Sequence, residues 1–225
     1  MTLHTALPLE LGVAPDSIQA DIQFFSESVR LITYDKNGAG TVKMVSAMDV
    51  AKTLSSAISL DTGLLPPDTL WWAAGQPTPV YALWRSPRKW KVALQLKPFE
   101  PAERLEIPMP GLIFICQAGN PPHIFAAKKR PVQYEDGVYK APLFNVFADG
   151  RSCPGNHKYP ERIAEIPESF FLAFFTLAGD SRGRSKKHPG DLANLWHEID
   201  GTERFPNQDL VVCGNVSQVM ERRPR

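Results

Sequence analysis

Twenty-one prolines, roughly twice the usual share of about 5%, set the first limit on this 225-residue chain. Many lie between Pro66 and Pro160. Proline offers no amide proton and fixes φ, so it interrupts helices and inner strands alike. The middle of the chain is therefore expected to hold short strands joined by stiff, extended connections.

Strand-like runs fall between these breakers: Thr69 to Ala73, Val80 to Trp84, Trp90 to Leu96, Leu112 to Cys116, and Ile124 to Lys128 after Pro121-Pro122. They predict a meander of antiparallel strands. Upstream, Ile18 to Phe25 reads as a strand. Val29 to Tyr34 and Thr41 to Val45 flank Asp35-Lys36-Asn37-Gly38, the pattern of a β-hairpin. Ala47, Val50, Ala51, Leu54, Ala57 and Ile58 then recur at helical spacing, with Ser46 and Asp49 placed to cap the start and Gly63 and Pro66-Pro67 to stop it.

Past residue 160 the period turns helical again. Pro167 and Gly179 bracket one helix, with Phe170, Phe174 and Leu177 on one face and Phe171 and Phe175 on a second. Asp191 to Ile199 predicts another, striped by Leu192, Leu195, Trp196 and Ile199 and ended by Gly201. Strands and helices that do not alternate give an α+β class. The expected organisation is an N-terminal hairpin extension over residues 1–45, a main domain over 46–212 and a mobile tail over 213–225.

Twenty-five basic and 24 acidic side chains leave a formal charge of +1, which gives no whole-surface attraction to nucleic acid or membrane. Arg182, Arg184, Lys186, Lys187 and His188 form a basic run, read as a solvated loop or a dock for an acidic partner. With Lys128-Lys129-Arg130 it is too little to specify nucleic-acid binding. The N-terminus lacks a basic start and an apolar run, and Phe170 to Ala178 is too short to cross a bilayer. Three cysteines, Cys116, Cys153 and Cys213, in no metal-ligand spacing fit a reducing compartment; a soluble cytoplasmic protein with no metal is expected. No P-loop, GxGxxG, HExxH or GxSxG motif is present, which turns attention to the cysteines.

Cys153 stands out. Residues 142–160 carry a strand-like Phe144 to Phe147, an Asp149-Gly150 turn, Cys153 three residues after that glycine, and Pro154-Gly155. Turn chemistry on both sides predicts a thiol at or near the surface. Arg151, His157 and Lys158 would favour thiolate if they lie close in space. Asn145, eight residues before Cys153, can fold its amide over the loop as an oxyanion donor or bond its own backbone. Asp149 reads as turn chemistry and His157 as a surface or loop-supporting histidine. Cys116 and Cys213, in apolar runs, read as packing residues.

These residues resemble the ubiquitin-conjugating (E2) proteins, which carry His-Pro-Asn, a turn with glycine, and then the reactive cysteine; Asn145, Gly150 and Cys153 fall on that pattern. Pro121-Pro122-His123 resembles the proline pair that opens their fourth strand. A closer resemblance, over about residues 30–212, is to the protein B family of PRTRC (ParB-related, ThiF-related cassette) systems, grouped with prokaryotic E2 family D. It is carried by 42–47, 63–72, 144–147, 167–171 and 183–189. The resemblance implies an E2/UBC-like core and a bacterial conjugation cassette found on plasmids and mobile elements. Its implied partners are a ThiF-like E1 enzyme, a ubiquitin-like protein and a JAB-type peptidase, and no cofactor. Cys153 would be the thioester carrier and Asn145 its helper. Asp180 or His188 would deprotonate the incoming amine, and Asp149, Gly150 and His157 would support the loop. Leu143-Phe144 stands where E2 proteins have His-Pro, so an inactive E2-like scaffold or binding module is the alternative.

Overall fold

A computed structural model of the chain describes residues 20–26, 28–35, 39–51, 63–74, 78–97, 99–153, 155–177 and 181–221. They divide into two compact units, residues 1–63 and 64–225.

The first unit is a three-stranded antiparallel sheet, ordered β1 (Ala20–Phe24), β2 (Val29–Tyr34), β3 (Gly40–Val45). The β2–β3 ladder runs from Val29↔Val45 to Tyr34↔Gly40, and the Asp35 carboxylate accepts the Ala39 N–H at 2.9 Å. The hairpin thus closes where the sequence placed it; Lys36, Asn37 and Gly38 lie outside the described residues. Residues 47–51 are helical, and the Asp49 N–H donates to Ser46 Oγ at 3.0 Å, as the cap predicts. The remainder of that predicted helix lies outside the described residues.

The second unit is built on one long ribbon. Strands β5 (Val80–Arg85) and β6 (Arg88–Leu94) follow each other directly, as do β7 (Glu103–Met109) and β8 (Gly111–Cys116). Arg85 pairs with Leu112 and Arg88 with Met109, three residues further on along both strands, so register passes unbroken through a bend at Ser86-Pro87 and Pro110. The prolines here bend the sheet rather than end it. Pro108 sits inside β7, which is tolerated because β7 is the edge of a small sheet ordered β11 (Phe174–Phe175), β6, β7. On the other side of the bend, β5 and β8 enter a six-stranded sheet ordered β12-β10-β9-β8-β5-β4. The others are β4 (Thr69–Ala73), β9 (His123–Ala127), β10 (Gly137–Lys140) and β12 (Val212–Asn215).

Alternation in the central strands explains why they read as unbroken apolar runs. Leu112, Phe114, Cys116, Ile124 and Ala126 point into one core, and Ile113, Ile115, Phe125 and Ala127 into a second on the opposite face. The first core receives α1 (Ile166–Phe171) and α2 (Leu192–Ile199). Trp90 stacks on Phe171 at 3.7 Å, and Phe144 and Phe175 meet Trp196 edge-on at 4.8 and 5.3 Å. The buried Trp196 indole donates to the Pro142 carbonyl at 2.9 Å. The second core receives α3 (Val216–Glu221) through Val216 and Val219.

Two expectations change. The helix predicted from Pro167 toward Gly179 ends at Phe171. Phe174-Phe175 form β11, parallel to β6, and Phe175 O accepts the Gln95 N–H at 2.7 Å. Pairing buries Phe175 and leaves Phe174 and Leu177 exposed. The second is the mobile tail from 213 onward. Cys213 instead sits in β12, paired with β10, and residues 216–221 are helical, because Val216 and Val219 bury apolar surface there.

Glu168 ties the bend of the ribbon to α1. Its carboxylate accepts from Arg85 Nε at 2.9 Å, Arg85 Nη2 at 3.1 Å and Arg88 Nη2 at 3.0 Å. Partial burial works to raise the carboxyl, but the Arg85 hydrogen bonds and charge outweigh it, and the net is below the ordinary value of 4.5. A lowered folded-state value gives stability that is present above pH 4.5 and lost as pH falls through the lower value. Glu168→Gln should therefore melt below wild type at neutral pH, with the gap closing on acidification. Thermal melts across that range check it, and a pH-independent gap would contradict it.

Candidate active site

The cysteine loop is a tight hairpin stitched to the start of β9. The Ser152 N–H and Oγ–H both donate to Pro122 O, at 3.0 and 2.7 Å, and the Ile124 N–H donates to Gly150 O at 2.7 Å. Across the turn, Phe147 N–H donates to Arg151 O, Gly150 N–H to Phe147 O, and Cys153 N–H to Asn145 O, at 2.7, 2.9 and 2.7 Å. Gly150 has φ +94°, and a Cβ there would lie 2.4 Å from the Phe125 ring, so glycine is required on both counts. Asp149 accepts from the Arg151 N–H and Nε at 3.1 and 2.7 Å. Burial opposes ionisation of its carboxyl, but the Arg151 donors and charge win and hold it below its usual range.

No strand forms over Phe144 to Phe147. Asn145 adopts φ +58°, a left-handed conformation that asparagine tolerates better than most residues. The kink sends Phe144 into the core and returns Val146 to bridge Ser152. It also points the Asn145 amide at β11. Nδ2 donates to Phe174 O at 2.7 Å, and Oδ1 accepts from Thr176 N and Thr176 Oγ1 at 3.1 and 3.2 Å. The side chain does the work of a neighbouring peptide group, which helps draw residues 174–176 out of the helix. A carboxamide has two N–H donors, and Phe174 takes one of them.

Asn145, Cys153, His157, Tyr159, Phe174 and Thr176 line one open cleft of about 520 Å³. Cys153 is half-buried. His157 is also half-buried rather than a surface group, with Nε2 2.7 Å from Ser169 Oγ. Cys116 is sealed in the first core, where burial pushes its thiol far up, and Cys213 borders the second. The structure thus gathers Cys153, Asn145 and His157, while Asp149 and Gly150 shape the turn. His188 does not join them: its Nε2 meets Glu198 at 2.8 Å and its N–H donates to Ser185 Oγ. Asp180 lies outside the described residues. Arg151 is committed to Asp149 and to the Phe147 ring, 5.8 Å away, and Lys158 is exposed.

The basic run is pinned. The Lys186 and Lys187 N–H groups donate to Asp209, at 3.0 and 2.6 Å, and the Lys187 ammonium pairs with Glu198. Arg184, counted in the sequence as one more surface charge, is 2% exposed. Its guanidinium donates to Ala141 O at 3.0 Å and to Val146 O, gripping both ends of the segment that carries Asn145. Nothing in the charge pattern separates it from its neighbours. Among the described residues no group of three His, Cys, Asp or Glu is placed to hold a metal ion, and no helix is long and apolar enough to cross a membrane.

Comparison with known proteins finds a match to the family described as prokaryotic E2 family D, over residues 43–213. No curated protein and no solved structure matches the chain.

Proposed function

The chain belongs to prokaryotic E2 family D, and from that membership we propose that it carries a ubiquitin-like protein as a thioester on Cys153 and passes it to an acceptor. The observation that carries this is the joint placement of Cys153 and Asn145 in one open cleft, fixed by the 2.7 Å bond from Cys153 N–H to Asn145 O. The order of meander, cysteine hairpin and α1 supports an E2-like core behind it. An E2-like protein implies an E1 enzyme and a ubiquitin-like protein as partners; a ThiF-like E1 and a JAB-type peptidase are the forms proposed here.

The Cys153 thiolate attacks the thioester carbonyl on the E1 enzyme, forming a new S–C bond as the old one breaks. An amine or other nucleophile then attacks the Cys153 thioester and releases the thiolate. The second Asn145 N–H is the donor available to the tetrahedral oxyanion in both steps. A silent scaffold is the competing reading, favoured by Leu143-Phe144 in place of His-Pro and by the bonds that tie the Asn145 amide to Phe174 and Thr176.

A non-reducing gel separates the two. With a ThiF-like enzyme, the ubiquitin-like protein and ATP, a thiol-sensitive adduct should form, vanish in Cys153→Ala, and persist in Cys116→Ala and Cys213→Ala. A stable complex with no covalent adduct would favour the scaffold.

A further inference from the structure

Acyl transfer through Cys153 moves a proton at each step, and the walls of the cleft restrict where it can go. Among the described lining residues only Cys153, His157 and Tyr159 titrate; no carboxylate, lysine or arginine is present. Tyr159 is a poor acceptor, since burial raises its hydroxyl above the usual range and keeps it protonated. His188 is held away by Glu198.

His157 is held in place from two sides. Its Nε2 lies 2.7 Å from Ser169 Oγ on α1, and its ring meets Tyr159 edge-on, with centroids 4.8 Å apart at 81°. Cys153, His157 and Tyr159 line the same cleft, so the imidazole shares that space with the thiol. When Nε2–H donates to the serine oxygen, Nδ1 keeps its lone pair and serves as a base. The serine hydroxyl can accept from Nε2–H or donate to a bare Nε2; in the first tautomer it aims the ring with Nδ1 as the base, as an orienting group does for a catalytic base.

We infer that His157, oriented by Ser169, is the proton acceptor of the Cys153 cleft. This rests on the acyl-carrier reading for its biological use, but the chemistry can be read without partners. The proton of the Cys153 thiol passes to His157 Nδ1, and the thiolate so formed bonds to the acyl carbon. The departing thiolate of the donor thioester then takes that proton, so the step balances with no further reagent. In discharge, the proton of the attacking amine takes the same route while the Cys153 S–C bond breaks.

The test uses the full chain and iodoacetamide at neutral pH, with alkylation of Cys153 and Cys213 followed separately by peptide mass spectrometry. His157→Gln should slow Cys153 by about 100-fold, the lower end of what a positioned base contributes. Ser169→Ala, which leaves the imidazole in place, should slow it less, and Cys213 should be unchanged in both. If His157→Gln does not fold, Ser169→Ala alone decides. Cys153 rates equal to wild type in the folded variants would overturn the inference, as would parallel losses at Cys153 and Cys213. An absent thioester with partners but a slowed Cys153 in His157→Gln would sink the acyl-carrier reading and leave the proton acceptor standing.

Discussion

Asn145→Ala is expected to slow acyl transfer from Cys153 by about 100-fold or more, the usual cost of losing one oxyanion donor. Two effects combine. The amide that can face the tetrahedral intermediate disappears, and Phe174 O and the Thr176 N–H lose the partner that holds them beside the cleft. Alanine must also accept φ +58°, which costs roughly 1 kcal/mol or more. Asn145→Asp separates these effects. Aspartate tolerates the backbone and still accepts from Thr176, but it donates nothing and places a negative charge where the oxyanion would form. Single-turnover discharge of preloaded protein reads the difference: both variants should be slow, while the aspartate variant, which loses the bond to Phe174 O, still accepts the Thr176 N–H and keeps that amide protected from hydrogen exchange. Discharge at the wild-type rate in both would remove Asn145 from the chemistry and leave it as a brace.

Arg184→Met is the largest expected lesion to the fold of the second unit. Methionine fills similar space but leaves the buried Ala141 and Val146 carbonyls without the guanidinium. An unsatisfied buried polar group costs about 1–3 kcal/mol, so two cost roughly 2–6 kcal/mol. For a unit of this size that lowers the melting temperature by about 10 °C. Arg184→Lys keeps the charge but replaces a planar fork with a single ammonium, so it should fall between wild type and methionine. Melts within about 2 °C of wild type for the methionine variant would show that the clamp contributes nothing.

The sequence was most legible where local chemistry and the global fold agree. Val29 to Tyr34 and Thr69 to Ala73 form strands over the expected residues, and Asp191 caps α2, accepting the Ala193 N–H at 2.9 Å. The loop could be read because Asp149, Gly150 and the asparagine-to-cysteine interval carry their own turn chemistry. What stayed hidden depends on partners far away in the chain. β7 contains Pro108, which argues against a strand until its edge position is known. β10 has only four residues and needs β9 and β12 on either side. Phe174 and Phe175 fit helical spacing, and only the Asn145 side chain and the β6 edge make them extended. Arg184 looks like its basic neighbours because burial of a charge is decided by carbonyls some forty residues upstream.

Cys153→Ser offers the most direct measurement of whether this sulfur carries an acyl group. Mixed with the activating enzyme, the ubiquitin-like protein and ATP, wild-type protein should gain the mass of the ubiquitin-like protein less one water, and lose it to an added small thiol by acyl exchange. The serine variant should gain the same mass as an oxyester at residue 153 that resists the thiol and yields to mild base. A serine-variant adduct that the thiol still removes would place the acyl group on another cysteine, and no mass gain in either protein would contradict the carrier assignment outright.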